Sequence, residues 1–286
     1  MKIALLTCEN LPNLYETDQF LIPELGRYNI HATPVIWNDK TVDWNQFDFL
    51  VFRNTWDYFE KEAQFNSWLD HIEQSGIKTL NAIGVIQRNK HKFYLRDLEK
   101  QGIKILPTVF IDKTPELDLI QLMPNNWTKA VIKPAYSGGS YQTEVFDVLQ
   151  REQVNLQYRP IAAEKELLLQ KFMPEIISEG ETSFIFFNKK FSHCINKIPA
   201  QGDFRVQVQF GGNYKNIVPD QDLIRQAQAI VDTFEEDLLY ARVDGIIINN
   251  QIHLMEVECI EPDLYFNHSE GSQQRFVEAI LELISK

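Results

Sequence analysis

The first third of the chain alternates between short apolar runs and longer segments whose apolar positions recur every three or four residues. Short apolar runs predict buried strands, and the longer spacing predicts helices. Gly26 and Gly76 each follow a helical segment, as is typical of helix ends. The predicted elements are strands at residues 1–7, 31–37 and 47–52 and helices at residues 20–25 and 60–74. This alternation of strands and helices predicts a mainly parallel α/β sheet.

Beyond Gly102 the pattern changes to short strands with few helices between them. A predicted helix at residues 90–101 marks the change. The predicted strands cover residues 130–133, 167–172, 183–187, 204–210, 241–248 and 252–258. Two amphipathic helices, at residues 223–238 and 276–284, complete the pattern. The fold class is therefore α/β for the first third of the chain and α+β for the rest.

The composition excludes several classes of protein. The chain has 286 residues, of which 44% are hydrophobic and 24% charged, as is typical of a globular protein with a large core. Its net charge of -12 argues against binding to nucleic-acid phosphates, which usually requires a basic face. No apolar run is long enough for a membrane segment, and the cysteines lack metal or disulfide spacing. We expect a cytoplasmic protein that binds neither nucleic acid nor membranes.

Two glutamates stand among apolar residues near the C-terminus. Glu256 and Glu258 occupy alternate positions of a predicted strand, so their side chains share one face, roughly 7 Å apart. Two such carboxylates repel by roughly 2 kcal/mol at an effective dielectric of about 20, and burial adds a desolvation cost. A divalent cation would offset both terms, and oxygen ligands suit Mg²⁺. Two solvated glutamates on an edge strand remain an equally good interpretation of this segment alone.

A lysine and a loop of small residues follow another predicted strand. Lys133-Pro134 leads into Ser137-Gly138-Gly139. Adjacent glycines let backbone N–H groups approach phosphate oxygens, and the lysine adds a positive charge. This arrangement can cover phosphates, although a Lys-Pro dipeptide before two glycines is more often an ordinary hairpin. It is neither a Walker loop nor a G-x-G-x-x-G fingerprint.

Two further segments carry groups that suit a nucleotide. Residues 167–172 lead into an extended stretch, which can offer backbone N–H and C=O groups to an adenine base. Alternation in residues 203–212 places Arg205, Gln207 and Gln209 on one face of a predicted strand. An arginine among polar groups can stabilise a phosphoryl group during its transfer. A core strand that ends at a proline and a solvated antiparallel strand are the structural alternatives.

Taken together and in this order, these segments resemble the ATP-grasp superfamily over residues 80–264. The resemblance implies an ATP-grasp fold with an N-terminal doubly wound α/β domain at residues 1–88, a lid subdomain at 89–172 and a catalytic subdomain at 173–286. It also implies ATP as a cofactor, with Lys92 favoured over Lys90 as the first ATP-binding lysine. The implied nucleotide-binding residues are Lys92, Lys133, Ser137, Gly138, Gly139, Gln170, Lys171, Phe172, Met173 and Glu181. Lys133 and Arg205 are the implied catalytic residues.

The same resemblance implies a metal site. Asp244, Glu256 and Glu258 match the positions of the family's magnesium ligands, and two Mg²⁺ ions would share Glu256 as a bridge. The third position is most often asparagine in the family, whereas it is Glu258 here. The additional negative charge leaves Mn²⁺ open as an alternative ion.

Two groups of ATP-grasp enzymes are particularly similar in sequence. Gln170, followed by Pro174 and then Gly180-Glu181, is similar to bacterial glutathione synthetase and to the enzymes that modify ribosomal protein S6. Residues 53–58, together with residues 258–264, resemble the cyclo-ligase that closes O-ureido-D-serine in cycloserine biosynthesis.

Residues 53–58 directly follow a predicted strand of the first domain. Ligands bind at the carboxyl ends of strands in open α/β sheets, and an arginine can hold a substrate carboxylate with two hydrogen bonds. The candidate substrate-binding residues are Arg53, Thr55, Trp56, Asp57 and Glu261. An equally good interpretation is that Trp56 and Tyr58 only cap the sheet.

The resemblance implies an ATP-dependent ligase. A substrate carboxylate would attack the γ-phosphate of ATP, and an amine or similar nucleophile would displace phosphate from the resulting acylphosphate. The expected substrates are small and resemble amino acids or peptides, and similar enzymes are commonly homodimers or homotetramers. Two other classes stay open: a kinase of the same fold that phosphorylates a small molecule, and a nucleotide-binding protein without turnover.

Overall fold

The computed structural model describes residues 1–206 and 210–286. Its strands are β1 (Lys2–Thr7), β2 (His31–Ile36), β3 (Phe49–Asn54), β4 (Lys78–Leu80), β5 (Thr108–Ile111), β6 (Lys129–Pro134), β7 (Glu144–Asp147), β8 (Leu167–Lys171), β9 (Glu181–Phe187), β10 (Lys190–Ile198), β11 (Asn213–Ile217), β12 (Tyr240–Ile248) and β13 (Gln251–Glu258). Its α-helices are α1 (Leu21–Gly26), α2 (Glu62–Ser75), α3 (Ile83–Asn89), α4 (Tyr94–Lys100), α5 (Leu119–Leu122), α6 (Arg151–Ala162), α7 (Glu175–Ser178), α8 (Gln221–Val231) and α9 (Ser272–Ile284). Short 3-10 helices lie at Glu16–Asp18, Trp44–Gln46, Val148–Gln150 and Phe266–His268.

The first sheet has the strand order β2-β1-β3-β4 and is parallel throughout, which confirms the predicted α/β organisation. Alternate residues of β1 face opposite sides of this sheet. Ile3 and Leu5 share a hydrophobic cluster with residues of α9, whereas Ala4 and Leu6 share another with residues of α2. Helix α2 ends where Gly76 adopts a left-handed conformation with φ of 72°, which glycine reaches at little cost. The sheet is therefore covered by helices on both faces.

The second sheet (β5-β8-β6-β7) and the third sheet (β11-β10-β9-β12-β13) are antiparallel. Helix α6 packs on the second sheet, and α8 and α9 pack on the two faces of the third. The fold is the mixed α/β and α+β architecture that the sequence predicts. Within residues 1–206 and 210–286, no helix combines the length and the apolar character needed to cross a membrane.

The predicted helix at residues 90–101 is wrong in its bounds, because the chain forms two helices here, α3 and α4. They are separated at residues 90–93. The backbone N–H of Lys92 donates to the carbonyl of Ala135 at 2.8 Å and not to a carbonyl of its own turn. This contact with the loop after β6 breaks the helix and fixes Lys92 beside that loop.

Two other predicted elements also differ from the structure. Residues 204–206 do not form the predicted strand, because the Asp203 carboxylate accepts the N–H groups of Phe204 and Arg205 and turns the backbone. The remaining part of that prediction, at residues 207–209, lies outside the described residues. The helix predicted at residues 223–238 ends at Val231, the last residue of α8.

Arg53, at the end of β3, joins the first sheet to the loop that follows β13. Its side chain is only 1% exposed. The guanidinium pairs with Asp18 at 3.1 Å and donates to the carbonyl of Pro262 at 3.1 Å. A buried charge is tolerated only when it is paired and hydrogen-bonded. The ion pair therefore fixes how the N-terminal segment, β3 and the C-terminal loop meet.

We predict that Arg53→Met lowers the free energy of unfolding by about 3–5 kcal/mol, because Asp18 remains as an uncompensated buried charge. Arg27→Met is the matched control. It removes an exposed pair with Glu24 and should cost less than about 1 kcal/mol. Urea unfolding followed by circular dichroism measures both variants. Equal losses in the two variants would contradict the role of the buried pair.

Candidate active site

A cleft of about 590 Å³ is lined by residues from all three sheets and the loops that follow their strands. The first sheet contributes Trp56 and Tyr58, and the second contributes Lys133 and the loop after β6. The third sheet contributes Arg242 of β12 and Glu256 and Glu258 of β13. The candidate residues from distant parts of the sequence therefore meet around one cavity.

The three predicted metal ligands lie together at this cleft, which Glu256 and Glu258 line, whereas Asp244 is fully buried. Asp244 of β12 lies opposite Glu256 of β13, and Arg242 lies opposite Glu258 in the same ladder. One oxygen from each of Asp244, Glu256 and Glu258 lies within 4.8 Å of the other two. Because Asp244 is fully buried and both glutamates are half-buried, the alternative of two freely solvated glutamates does not fit the structure.

Positive side chains surround this acidic cluster. Arg242 donates to Asp244 at 2.8 Å and also to Glu258. Lys197 lies 3.8 Å from Asp244, and Lys92 lies 3.6 Å from Glu256. The cations bring the carboxylates together against their mutual repulsion.

Burial and charge shift the pKa values of the two glutamates in opposite directions. Burial alone would raise the pKa of Glu256, but the charges of Lys92 and Lys133 outweigh it and hold the pKa at about 2. Burial raises the pKa of Glu258 well above its usual value, because Arg242 offsets only part of the cost. Glu256 is therefore the stable anion of the pair, and Glu258 is the one whose charge still lacks full compensation.

The cluster fits a hard divalent cation. All three groups offer carboxylate oxygens, the donors that Mg²⁺ and Mn²⁺ prefer, with no histidine or cysteine among them. The incompletely compensated charge of Glu258 adds a physical reason for a cation at this point. Asp244, Glu256 and Glu258 are the residues that would hold it.

Two lysines and the glycine loop also line the cleft. Lys92 and Lys133 both line it, whereas the ammonium group of Lys90 points away and donates to Asn66. Ser137 lines the cleft with Gly138 and Gly139, and its carbonyl accepts the Lys92 ammonium. Burial lowers the pKa of Lys133.

Three residues of the proposed adenine segment, Gln170, Phe172 and Met173, line the cleft. Lys171 does not line it. The N–H groups of Lys171 and Phe172 already donate to carbonyls of Pro107 and Lys129, at 2.9 and 3.1 Å. Both of these N–H groups therefore already have protein partners.

Glu181 and Arg205 both line the cleft, but each is held by a protein partner. Glu181 forms a buried ion pair with Lys197, and burial raises its pKa against the opposing effect of that lysine. The Arg205 guanidinium binds Asp203 at 2.8 Å and lies 3.7 Å from the centre of the Phe210 ring.

The candidate substrate residues divide into two groups. Trp56 and Glu261 line the cleft, and the Trp56 indole N–H donates to the carbonyl of Glu261 at 2.9 Å. Arg53, Thr55 and Asp57 are buried and do not line it, so the structure does not bring these three predicted residues to the cleft. Arg53 is bound to Asp18, as described above.

The other two residues of that group are buried behind the cleft wall. The Thr55 side chain is fully buried. The Asp57 carboxylate accepts the indole N–H of Trp37 and the ammonium of Lys61, each at 2.7 Å. The backbone carbonyls of Thr55 and Asp57 accept the N–H groups of Tyr58 and Glu60, at 3.0 and 3.1 Å, in the turn after β3.

Arg242 and Lys197 are the main cleft residues that the sequence analysis did not identify as site residues. Arg242 and Asp244 are alternate residues of one strand, so strand periodicity alone places them on the same face. This alternation could have identified Arg242 as a site residue from the sequence. Lys197 lies on β10, and no local pattern relates it to its partners Glu181 and Asp244, which come from other strands.

The loop after β13 is fixed by an unbroken series of side-chain hydrogen bonds. Each backbone carbonyl of residues 259–264 accepts one, at distances between 2.6 and 3.1 Å. The donors, in the order of these carbonyls, are Asn81, Tyr240, Trp56, Arg53, Arg242 and His193. We call residues 259–264 the anchored loop. Glu261 and Asp263 of this loop line the cleft, so its shape determines where their carboxylates lie.

The three sheets and the cleft between two lysines, a glycine loop and an acidic cluster define an ATP-grasp enzyme. Residues 100–264 match the family described as prokaryotic glutathione synthetase, ATP-grasp domain, and the chain belongs to this family. Residues 3–81 match the description D-cycloserine synthetase DcsG, N-terminal domain. The protein is therefore an ATP-dependent ligase that forms C–N bonds, and its family uses ATP with a divalent metal.

Full-length relatives share this organisation. The cycloserine biosynthesis protein DcsG of Streptomyces lavendulae is 25% identical over 301 residues, which covers 98% of both chains. The crystal structure of D-cycloserine synthetase DcsG superposes with a TM-score of 0.86 at 24% identity, over 99% of each chain. D-alanine–D-alanine ligase from Bacillus anthracis gives a TM-score of 0.69 at 16% identity, over 99% of this chain and 98% of its own. The two structural likenesses show a shared fold.

We predict that Tyr240→Phe lowers the free energy of unfolding by about 1–3 kcal/mol, because it removes a buried hydroxyl that bonds the carbonyls of Phe52 and Ile260. Tyr136→Phe is the matched control. Its hydroxyl is also buried, but none of the described residues bonds it, so this change should cost less than about 0.5 kcal/mol. Chemical denaturation measures both, and similar costs would show that the anchored loop does not depend on this hydroxyl.

Proposed function

We propose that this ligase joins a small carboxylic acid to an amine or a related nucleophile through an acylphosphate, with release of ADP and phosphate. The observation that carries the proposal is the cleft itself, which is lined by Lys92, Lys133, Glu256 and Glu258, with an Asp244 oxygen within 4.8 Å of both glutamates. Lysines suit the phosphates of a nucleotide, and carboxylates suit its metal ions. A protein that only bound ATP, without turnover, would not need every one of these charges.

We assign the metal site to Asp244, Glu256 and Glu258, with Mg²⁺ as the ion and Mn²⁺ as the alternative. A bound divalent cation would neutralise phosphate oxygens as charge develops on them. Glu256 is suited to bridge two ions, because the charges of Lys92 and Lys133 lower its pKa and keep it ionised. Two ions are about 3.5–4 Å apart in such sites, which requires a shared ligand.

The cationic side chains provide the rest of the electrostatic stabilisation. Lys92, Lys133 and Arg242 are suited to neutralise oxygens of the transferring phosphoryl group, in a cleft where surrounding protein strengthens each interaction. Arg205 reaches the same cleft and can act there after exchanging Asp203 for a phosphate. The attacking carboxylate is already ionised at neutral pH, so phosphoryl transfer needs no general base.

The nucleotide contacts are assigned along the second sheet. Gln170, Phe172, Met173 and Glu181 are proposed to contact adenosine, and Ser137, Gly138 and Gly139 to cover the phosphates, since all of them line the cleft. We retain residues 1–88, 89–172 and 173–286 as the proposed domains. They follow the first, second and third sheets closely.

The opposite end of the cleft is assigned to the substrate acid. Trp56 and Glu261 line it together with Tyr15, Tyr58 and Tyr265, which leaves room for a small, amino-acid-like molecule. The match of residues 3–81 to the DcsG N-terminal domain favours a second version, in which the carboxylate and the nucleophile belong to one molecule and the product is a ring.

The proposal predicts that ADP release requires an acid together with a nucleophile. We expect a screen of amino acids, short peptides and amino-oxy compounds to yield ADP only with both groups present, in one molecule or in two. Mass spectrometry should then find a product that has lost one water. A stable phosphoester with a hydroxyl substrate would identify a kinase instead, and ADP release with no acceptor at all would argue against ligation.

We predict that Glu256→Gln reduces turnover at least about 100-fold while the fold is retained, because it removes the proposed bridging charge from the metal site. The variant should also lose most of the increase in melting temperature that Mg²⁺ or Mn²⁺ gives with ADP. Glu282→Gln, on the exposed side of α9, is the control and should behave like the unmodified protein. Unchanged ADP formation in Glu256→Gln would make the metal assignment wrong.

A further inference from the structure

Gly138, in the loop that follows β6, lies against the ring of Phe59 from the first sheet. A Cβ atom at position 138 would lie 2.7 Å from Cδ1 and 2.9 Å from Cε1 of that ring. Carbon atoms in contact are normally about 3.5–4.0 Å apart. The backbone of Gly138 needs no positive φ, so a side chain here is opposed by the ring, which would have to move, and not by the backbone conformation.

Aromatic contacts extend on both sides of this point. The Phe59 ring lies 5.4 Å from that of Tyr141, whose N–H closes the glycine turn by donating to the Gly138 carbonyl at 2.9 Å. The neighbouring Tyr58 ring lies 5.6 Å from that of Tyr136, just before the loop. Ring pairs at these distances attract each other beyond their area burial. The first sheet therefore holds the loop at its start, its centre and its end.

The segment that carries Phe59 is itself rigid. Its backbone makes successive turn hydrogen bonds, from Tyr58 to Thr55 at 3.0 Å and from Glu60 to Asp57 at 3.1 Å. Asp57 is fixed by Trp37 and Lys61, as described above. The hydrogen-bonded turn therefore fixes the position from which Phe59 contacts Gly138.

The same short segment contacts the other side of the cleft. Trp56 donates to the carbonyl of Glu261 in the anchored loop, three residues before Phe59 reaches the glycine loop. One turn after β3 thus contacts both the proposed substrate end and the proposed phosphate loop. This placement gives Phe59 a role beyond filling space.

We propose that Phe59 is a positioning residue, which sets where the Gly138 loop lies over the nucleotide phosphates. The proposal rests on the assignment of this loop to the phosphates. Phe59 itself touches no reacting atom and acts through Gly138. Its ring provides the surface on which the loop rests, and glycine at position 138 is required because that ring is there.

The test is a double-mutant cycle with ADP affinity as the readout, so that it does not depend on knowing the substrate. Gly138→Ala should weaken ADP and Mg²⁺ binding about tenfold or more, because the added methyl group pushes the loop off the ring. In a Phe59→Ala background the same change should cost less than about threefold, because the space is then open. Isothermal titration calorimetry measures all four proteins.

Gly139→Ala is the matched control. Nothing lies within 4 Å of a Cβ at position 139, but its φ of 55° strains any other residue. Its cost should therefore be the same in both backgrounds. Phe59→Leu replaces Phe59→Ala if the latter fails to fold, and circular dichroism checks each variant.

The proposal would be overturned if Gly138→Ala weakened ADP binding equally in the two backgrounds. It would also be overturned if Gly138→Ala did not weaken ADP binding in the otherwise unmodified protein. The proposal would also be overturned if Gly139→Ala weakened ADP binding less in the Phe59→Ala background than in the unmodified protein. The loss of Phe59 would then have loosened the whole loop. Failure of the proposed ligase function is distinguishable, because it appears as absent turnover while ADP still binds. If the unmodified protein binds no ADP, both the phosphate assignment and this proposal are wrong.

Discussion

Six successive backbone carbonyls of the anchored loop, residues 259–264, each accept a hydrogen bond from a side chain elsewhere in the fold. A buried carbonyl without a partner costs about 1–3 kcal/mol, so few alternative paths of this loop could satisfy them all. Asn81, Trp56 and Arg53 come from the first sheet and its loops, whereas Tyr240, Arg242 and His193 come from the third. The same bonds that shape the loop therefore hold these parts of the protein together and place Glu261 and Asp263 in the cleft.

The cleft brings many charges close together, and the hydrogen bonds of the anchored loop help to hold those charges in place. Arg242 bonds the carboxylates of Asp244 and Glu258 and also the Asp263 carbonyl of the anchored loop, so one guanidinium connects the acidic cluster to the proposed substrate end. Fixed charges and dipoles stabilise developing charge without reorganising at the moment of reaction. Lys92 and Lys133 line the same cleft, and the Lys92 ammonium lies 3.6 Å from Glu256, so positive and negative groups are adjacent within the cleft.

Local patterns in the sequence predicted the parallel sheet and the shared face of Glu256 and Glu258, because strand periodicity depends only on neighbouring residues. The same periodicity covers Arg242 and Asp244. Arg53 could not be interpreted in this way, since its partners Asp18 and Pro262 are 35 and 209 residues away in the sequence. An arginine after a strand looks the same whether it faces a ligand or a buried aspartate. The break in the helix at residues 90–93 likewise depends on a distant carbonyl, that of Ala135.

In the proposed reaction, the substrate carboxylate attacks ATP and becomes an acylphosphate. The most direct measurement uses a substrate acid labelled with ¹⁸O in its carboxylate and mass spectrometry of the phosphate released. Attack by the carboxylate on the γ-phosphate carries one labelled oxygen into each phosphate during turnover, because the C–O bond breaks when the nucleophile enters. Phosphate that contains ¹⁸O is the result we predict. Unlabelled phosphate, formed at the same rate as product, would contradict the account.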